Sequence, residues 1–457
     1  MTHATPVSRR TLLVAGLSLG TAATPAAAAP RTARDNQPAN AFGIEPNATR
    51  DQSRALQAAI DQTSARGAVL QLAPGHYQVG DIVLRANTRI VGVPGATVLR
   101  YNGLGTFFTA ASAKPVQLTG LVFDGQSMPL NPAWSNGLLA LDAVTDLVID
   151  DCIVKGSSAN GIVLKRSAGR VMRTRVSNVT AAGLFSLDAD ISQGSIEFAH
   201  NHVHDCADNG ILVWRSSKGE DGTRLIANHV ERIANRSGGT GEYGNGINVF
   251  RAGSVQAASN RITDCSYSAI RGNAASNISM TANAIARIGE VALYAEFGFE
   301  GALIANNIID GAATGISVTN FNDGGRLAVI QGNLVRNLYR REHEPADKRG
   351  EGITVEADAV VSNNVIENAP TAGIAVGWGR YMRDVNVNGN VIRQSRIGIA
   401  VSGDAQAGAC LITANLISGA ADGAVRAMDH ARAIGGDLTA AKTPQLAHVT
   451  VSGNVVR

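Results

Sequence analysis

Four residues carry side chains and spacing suited to chemistry on a polar chain molecule: Arg271, Tyr294, Glu296 and Glu356. Glycosidic bonds are broken by two carboxyl groups, one protonating the leaving oxygen and one activating water, which casts Glu296 and Glu356 as an inverting pair. A second chemistry fits the same neighbourhood. In β-elimination from a uronate, Arg271 or Tyr294 would take the proton while an arginine or asparagine neutralises the sugar carboxylate. Trp214, Asn248, Phe250, Asn273, Thr319, Asn320, Glu242, Tyr243 and Arg380 would line such a site. They supply faces for stacking on sugar rings and polar groups for hydroxyls or carboxylates. A separate cluster, His202, His204, His229 and Glu231, offers three imidazoles and a carboxylate, a donor set for a divalent metal such as zinc or copper. Arg175 and Arg261 share its column and oppose a cation, so metal-free surface histidines are the competing expectation.

What positions these residues is a repeat. In NGNVIRQSRIGIAVSG (388–403), an Asn is followed by two aliphatics and, eight residues on, by Gly-Ile-x-Val. Anchors recur at Asn201, Asn228, Asn260, Asn283, Asn307, Asn333, Asn364, Asn390, Asn415 and Asn454, with Asp151 and Thr174 as earlier copies; most spacings are 23 to 27 residues. The residue two after each anchor is Ile or Val. A fixed period in this range signals a solenoid. The apolar pieces are short, β-branched and alternating, with no room for a helix between them. The expected fold is therefore all-β: a single-stranded right-handed parallel β-helix with an N-terminal capping α-helix. The Asn column fits a stacked turn, and the Gly before Ile fits a tight bend.

In the Gly-Ile-x-Val strand, residues between the inward ones point out. One outward column runs Val163, Leu212, Asn248, Arg271, Tyr294, Ser317, Thr354, Ala375; the next runs Lys165, Trp214, Phe250, Asn273, Glu296, Thr319, Glu356, Gly377. Two stretched turns, 234–245 and 336–351, would wall a cleft about 20 Å wide around Arg271, Tyr294 and Glu296, with further loops at 215–224, 320–326 and 377–384. The residue just after each anchor, Ile308, Leu334, Val365, Val391, Leu416 and Val455, would form an outward apolar stripe suited to self-association into a homo-oligomer.

Residues 49–67 read as an amphipathic helix with Leu56, Ala59 and Ile60 on one side. That helix, the following LAPGHYQVGDIVLRANTRIVGVPGATVL (72–99) and the Asn…Gly-Ile-x-Val rungs resemble pectate-lyase-like right-handed parallel β-helix proteins. The sequence is most similar to a group of Tat-translocated β-helix repeat proteins whose activity is undefined. The superfamily includes polysaccharide lyases, glycoside hydrolases, uronan epimerases, esterases and adhesins. Motifs of its pectate lyases, polygalacturonases and mannuronan epimerases are not visible in this chain, so the resemblance carries over no catalytic residue.

The N-terminus SRRTLLVAGLSLGTAATPAAAA has Arg9 and Arg10 ahead of a short apolar core and a small-residue tail, with an Ala-x-Ala site ending at Ala28. This predicts a twin-arginine signal peptide, passage through the Tat translocon and a periplasmic or extracellular address. The expected division is 1–28 signal, 29–47 linker, 48–110 cap helix and first rungs, and 111–457 repeats. Folding before export in a reducing cytoplasm argues against disulfides among Cys152, Cys206, Cys265 and Cys410. Net charge is +3 over 457 residues with no basic run interleaved with aromatics, which excludes nucleic acid as a partner. No apolar stretch beyond the signal is long enough to span a membrane. Three functions follow as alternatives: a lyase or hydrolase acting on an acidic or envelope polysaccharide, a non-catalytic glycan-binding or structural scaffold, and a periplasmic metal-binding β-helix.

Overall fold

In the computed structural model, which describes residues 35–131, 136–344 and 349–457, a repeat lays down three strands, the second and third running on as one in Ala284–Glu296, Ile308–Val318, Val365–Val376 and Val391–Ser402. One complete rung runs Ile196–Ala199, His202–Cys206 and Asn209–Glu220. Each strand pairs in parallel with its counterpart on the next rung: Phe198 with Leu225, Val203 with Val230, Ile211 with Ile247. The result is a 16-stranded sheet and a 26-stranded sheet, the second holding two of the three ladders. Among the described residues, antiparallel pairing is confined to the hairpin of Val425–Asp429 with Arg432–Asp437 and to the bridge between Trp378 and Tyr381. The fold is a right-handed parallel β-helix. Among the described residues no helix is long and apolar enough to cross a membrane. Arg9, Arg10 and the Ala28 cleavage site lie outside the described residues.

The Asn column makes an unbroken ladder from Asn201 to Asn454. From Asn228 onward each side-chain oxygen accepts from both the backbone N–H and the side-chain amide of the preceding anchor, at 2.9–3.1 Å throughout. The amide's other hydrogen goes to a backbone carbonyl one rung back, as from Asn307 to Met280 O. A buried corner thus loses none of its polar partners. The left-handed residue is not the anchor but the one before it: His200, Ala227, Ser259, Ala282, Asn306 and Asn363 all have φ between 54° and 59°.

One anchor was misplaced by the sequence pattern. Ile153 pairs with Arg175, so the corner position on that rung is Cys152, not Asp151, and the inward residue is Val154, not Ile153. Asp151 is instead the left-handed residue before the corner. The Cys152 thiol stands in for the amide by approaching the carbonyls of Asp150 and Leu118. All four cysteines are free and buried. Burial pushes the Cys152 and Cys410 thiols up to about 12.

The Gly that precedes most of the inward Ile residues is required by close approach, and Ala269 takes its place before Ile270. A Cβ on Gly352 would meet the Gly373 carbonyl oxygen at 2.3 Å, and one on Gly161 would meet that of Gly183 at 2.5 Å. Below the bend lie Ile162, Ile211, Ile247, Ile270, Ile316, Ile353, Ile374 and Ile399, all fully buried. Each such side chain is worth roughly 1.5–3 kcal/mol of transfer free energy.

The cap helix α1 spans Ser53–Arg66 and buries Leu56, Ala59 and Ile60. Asp51 accepts from the Ser53 N–H at its start, and Gly67 ends it in the left-handed region. The linker expected over 29–47 is corrected from residue 35 onward. Asn36–Pro38 adds a parallel strand to Val69–Gln71, and Ala39 and Ile44 are buried in the core beside the helix. This segment is too short to show a periodicity, but it protects an edge that would otherwise be open.

Candidate functional site

The outward columns hold their register. Leu212, Asn248, Arg271, Tyr294, Ser317, Thr354 and Ala375 are successive partners. Trp214, Phe250, Asn273 and Glu296 align beside them. The face is less exposed than alternation alone implies, because loops fold over it. Along the rod it divides into three zones.

The first zone is apolar. Val163, Phe185 and Leu212 pack with Leu187 and Trp214. Trp214 makes edge contacts with Phe185 and Phe250, and Arg251 lies over the Phe250 ring.

The second zone is a polar knot. Arg271 Nε donates to Glu296 Oε1 at 2.5 Å, and the Asn273 amide donates to the same oxygen at 3.0 Å. The Arg271 guanidinium lies 5.9 Å from the Tyr294 ring centre. Burial, then the Glu296 charge, push the Tyr294 phenol above its ordinary range, the wrong direction for a base. Arg271, Tyr294, Glu296 and Asn273 therefore come together, but as mutually satisfied groups with little access for a ligand. The first stretched turn covers them. Gly241 lies against the Arg271 guanidinium, and Asn248 donates to the Glu242 carbonyl. Glu242 caps its own turn by accepting from Thr240 N–H.

The two stretched turns meet rather than stand apart. Tyr267 donates to the Gly239 carbonyl of the first, and Arg341 of the second lies over the Tyr267 ring. Beneath them Glu290 takes an ion pair from Arg349 at 2.6 Å, and Arg349 also bonds Glu344. The cleft expected between the turns is thus largely closed by this cluster.

The opening lies on the other side of the second turn. A pocket of about 230 Å³ is lined by Ser317, Thr319, Asn320, Glu351, Glu356 and Trp378 among others. A smaller hollow of about 50 Å³ adjoins it, lined by Glu351, Trp378, Arg396, Met428 and His430. Glu351 and Trp378 belong to both, so the two form one groove. Trp378 is 47% exposed and makes an edge contact with His430 at 5.3 Å. Burial raises the pKa of Glu351 and of Glu356 above the ordinary carboxylate range. Glu351 accepts from Thr314 Oγ1, and Glu356 accepts from the Phe321 N–H at 2.6 Å. Thr354 Oγ1, also lining the groove, is buried and lacks a hydrogen-bond partner among the described residues.

Of the residues expected at a site, Glu356, Thr319 and Asn320 line this groove, whereas Arg271, Tyr294 and Glu296 do not. Arg380 is turned to Tyr381. Tyr243 is half-buried on the first turn. Glu351 and Trp378 were missed. Glu351 aligns with Thr314 and Ala372 in a third column, two residues before the inward Ile, which the bend turns outward. Trp378 stands between Gly377 and Gly379, both left-handed, and that pairing was the available signal.

The histidine cluster keeps its predicted register: His202 pairs with His229 and His204 with Glu231. The His202 and His229 rings stack at 4.6 Å. One nitrogen each of His202 and His229 and an oxygen of Glu231 lie within 4.8 Å of one another. His204 departs from the expected set, since its Nδ1 sits 2.6 Å from Asp205 and 3.1 Å from Arg232. Burial holds the His229 imidazole below its ordinary pKa.

Similarity to solved structures is broad in coverage and low in identity. The N-terminal fragment of bacteriophage Phi29 gene product 12 is 15% identical, covering 92% of this chain and 71% of that one at a TM-score of 0.51. The A-module of an Azotobacter vinelandii mannuronan C-5 epimerase is 15% identical, covering 92% and 99% at a TM-score of 0.46. The catalytic unit of a Streptomyces thermodiastaticus GH87 alpha-1,3-glucanase is 13% identical, covering 93% and 69% at a TM-score of 0.46. These are likenesses of fold. No curated protein matches the sequence. The model of the right handed beta helix region family matches residues 119–230 and 217–392, more than half of the chain, and the chain belongs to that family.

Proposed function

We propose that this is an exported carbohydrate-active β-helix protein that seats a glycan in the groove around Trp378 and acts on it as a glycoside hydrolase. The observation that carries the reading is the joint lining of one groove by an exposed tryptophan and the carboxyls of Glu351 and Glu356. The indole offers a platform for a sugar ring, and Thr319, Asn320 and Thr354 offer partners to its hydroxyls. A carboxyl whose pKa is raised by burial holds its proton to higher pH than a free one, which suits a general acid, and a second carboxyl supplies the base or nucleophile. Elimination has less support, because Arg271 is spent on Glu296 and Tyr294 is harder to deprotonate than free phenol. The export component rests on Arg9, Arg10 and the tail that follows them.

The test is a panel of polysaccharides assayed for new reducing ends and, separately, for unsaturated ends. New reducing ends that vanish in Glu351→Gln and Glu356→Gln support hydrolysis. Unsaturated ends would transfer the activity to a lyase. No product and no binding on any glycan would end the carbohydrate reading.

A scaffold is the second reading, and one observation favours it. Ile308, Leu334, Val365, Val391, Leu416 and Val455 stack in register, with Ile308 53% and Val455 50% exposed. Side-by-side association of two copies would cover that stripe. Sedimentation equilibrium of the native chain against Ile308→Lys/Val365→Lys tests it; a monomer in both removes this reading.

A further inference from the structure

We infer that His202, His229 and Glu231 form a binding site for a borderline divalent transition metal, best matched by Zn²⁺, on a face of the rod built by a different strand of the rung from the Trp378 groove. The site rests on register. Parallel pairing sets His202 over His229, and Glu231 lies two residues beyond His229 on the same outward side. Both imidazoles turn Nε2 toward that one carboxylate. His202 Nε2 is 3.0 Å from Glu231 Oε1, and His229 Nε2 is 3.6 Å from Glu231 Oε2.

The second distance is the telling one. At 3.6 Å it is too long for a hydrogen bond, and His229 Nε2 is buried with no hydrogen-bond partner among the described residues. A buried ring nitrogen facing a carboxylate oxygen across such a gap is the geometry a metal would close. Zinc bonds nitrogen and oxygen at about 2.0–2.1 Å, which sets tetrahedral ligand atoms roughly 3.4 Å apart, close to the 3.6 Å between His229 Nε2 and Glu231 Oε2. Two imidazoles and one carboxylate leave a fourth position for water and suit Zn²⁺ over Ca²⁺ or Mg²⁺, which prefer all-oxygen shells.

The neighbouring cations are arranged compatibly. Arg232 takes Glu231 Oε1 at 2.6 Å, leaving Oε2 for the metal, and its other nitrogens are tied to Asp205 at 2.8 and 3.0 Å. Arg175 and Arg261 flank the pair along the column with exposed side chains, so solvent screens their repulsion of a bound cation. The His202 and His229 rings are stacked within 5° of parallel, so binding also requires a rotation of one or both rings about the Cβ–Cγ bond.

The experiment uses the untagged full chain, stripped with a chelator and titrated with ZnCl₂ by calorimetry. The expected result is one saturable site. Affinity should fall by at least roughly tenfold in His229→Ala and in Glu231→Gln, and change little in His204→Ala, whose ring faces Asp205. X-ray absorption on the loaded protein should show two imidazoles at the metal. Circular dichroism verifies that each variant is folded, and His229→Asn serves if the alanine variant is not. Absence of saturable binding, or equal binding by the His202→Ala/His229→Ala double variant, overturns the site.

Discussion

Arg271 Nε and Glu296 Oε1 stand 2.5 Å apart, with side chains only 12% and 3% exposed. The two residues are register partners of neighbours, not of each other: Arg271 pairs with Tyr294 and Asn273 with Glu296. The ion pair therefore crosses the sheet face diagonally and ties two rungs together under the first stretched turn. Removing one member of a buried pair strands the other charge.

Arg271→Ala should accordingly destabilise the fold by about 3–5 kcal/mol, whereas an Arg271→Met/Glu296→Leu double change of similar volume should cost far less. Denaturant titration of the three chains reads this directly. A single change that leaves the midpoint unmoved would mean that the pair is dispensable, and the knot would have to be reconsidered as an open site.

Asn307 lies in the middle of the corner ladder. Its oxygen serves two donors of Asn283, and its own amide reaches Asn333 and Met280. Asn307→Ala would orphan several buried groups at once, at about 1–3 kcal/mol for each. Asn307→Cys should be milder, since Cys152 already occupies the equivalent corner with its thiol at two carbonyls. Thermal melts that rank the two variants in the opposite order would refute the ladder's role.

The reason that the repeat was legible in sequence while the groove was not follows from these particulars. Asn, inward Ile and the close-approach Gly recur because every rung poses the same steric and polar problem. The misreading of Asp151 for Cys152 arose where one rung solved that problem with another residue type. Glu351 and Trp378 belong to no column of like residues. Glu351 is outward only because of the bend before Gly352, and Trp378 is placed by a local turn between two left-handed glycines. The closure of the expected cleft was invisible for a similar reason, since it depends on Arg341 and Arg349 reaching Glu290, 51 and 59 residues away.

Stability should carry the mark of the buried acids. Glu351, Glu356 and Glu290 all have pKa values raised by burial above the ordinary 4.5. In the window between that value and their folded values the native state holds more protons than the unfolded chain, so stability falls as pH rises through it. Their protonated form is fully favourable below about pH 4.5, and the advantage is lost above the folded pKa. Glu356→Gln should flatten that part of the stability–pH curve and gain on the native chain toward neutrality. Chemical denaturation at several pH values measures it; parallel curves for the two proteins would show that Glu356 is not desolvated.

Trp378 provides the sharpest test of the groove. The indole is exposed, contacts His430 edge-on and borders both hollows, so it supports little of the core. Trp378→Ala should therefore leave the thermal midpoint nearly unchanged while weakening glycan binding. Loss of one aromatic platform is worth about 0.5–1.5 kcal/mol beyond area, or up to roughly tenfold in affinity. Trp378→Phe should restore part of it, because a smaller ring still offers a face. A Trp214→Ala variant is the control, since Trp214 belongs to the packed apolar zone and is expected to lose stability rather than affinity. Isothermal titration with the glycan that emerges from the panel separates the two. If Trp214→Ala abolished binding and Trp378→Ala did not, the ligand would lie over the aromatic zone and the groove assignment would fall.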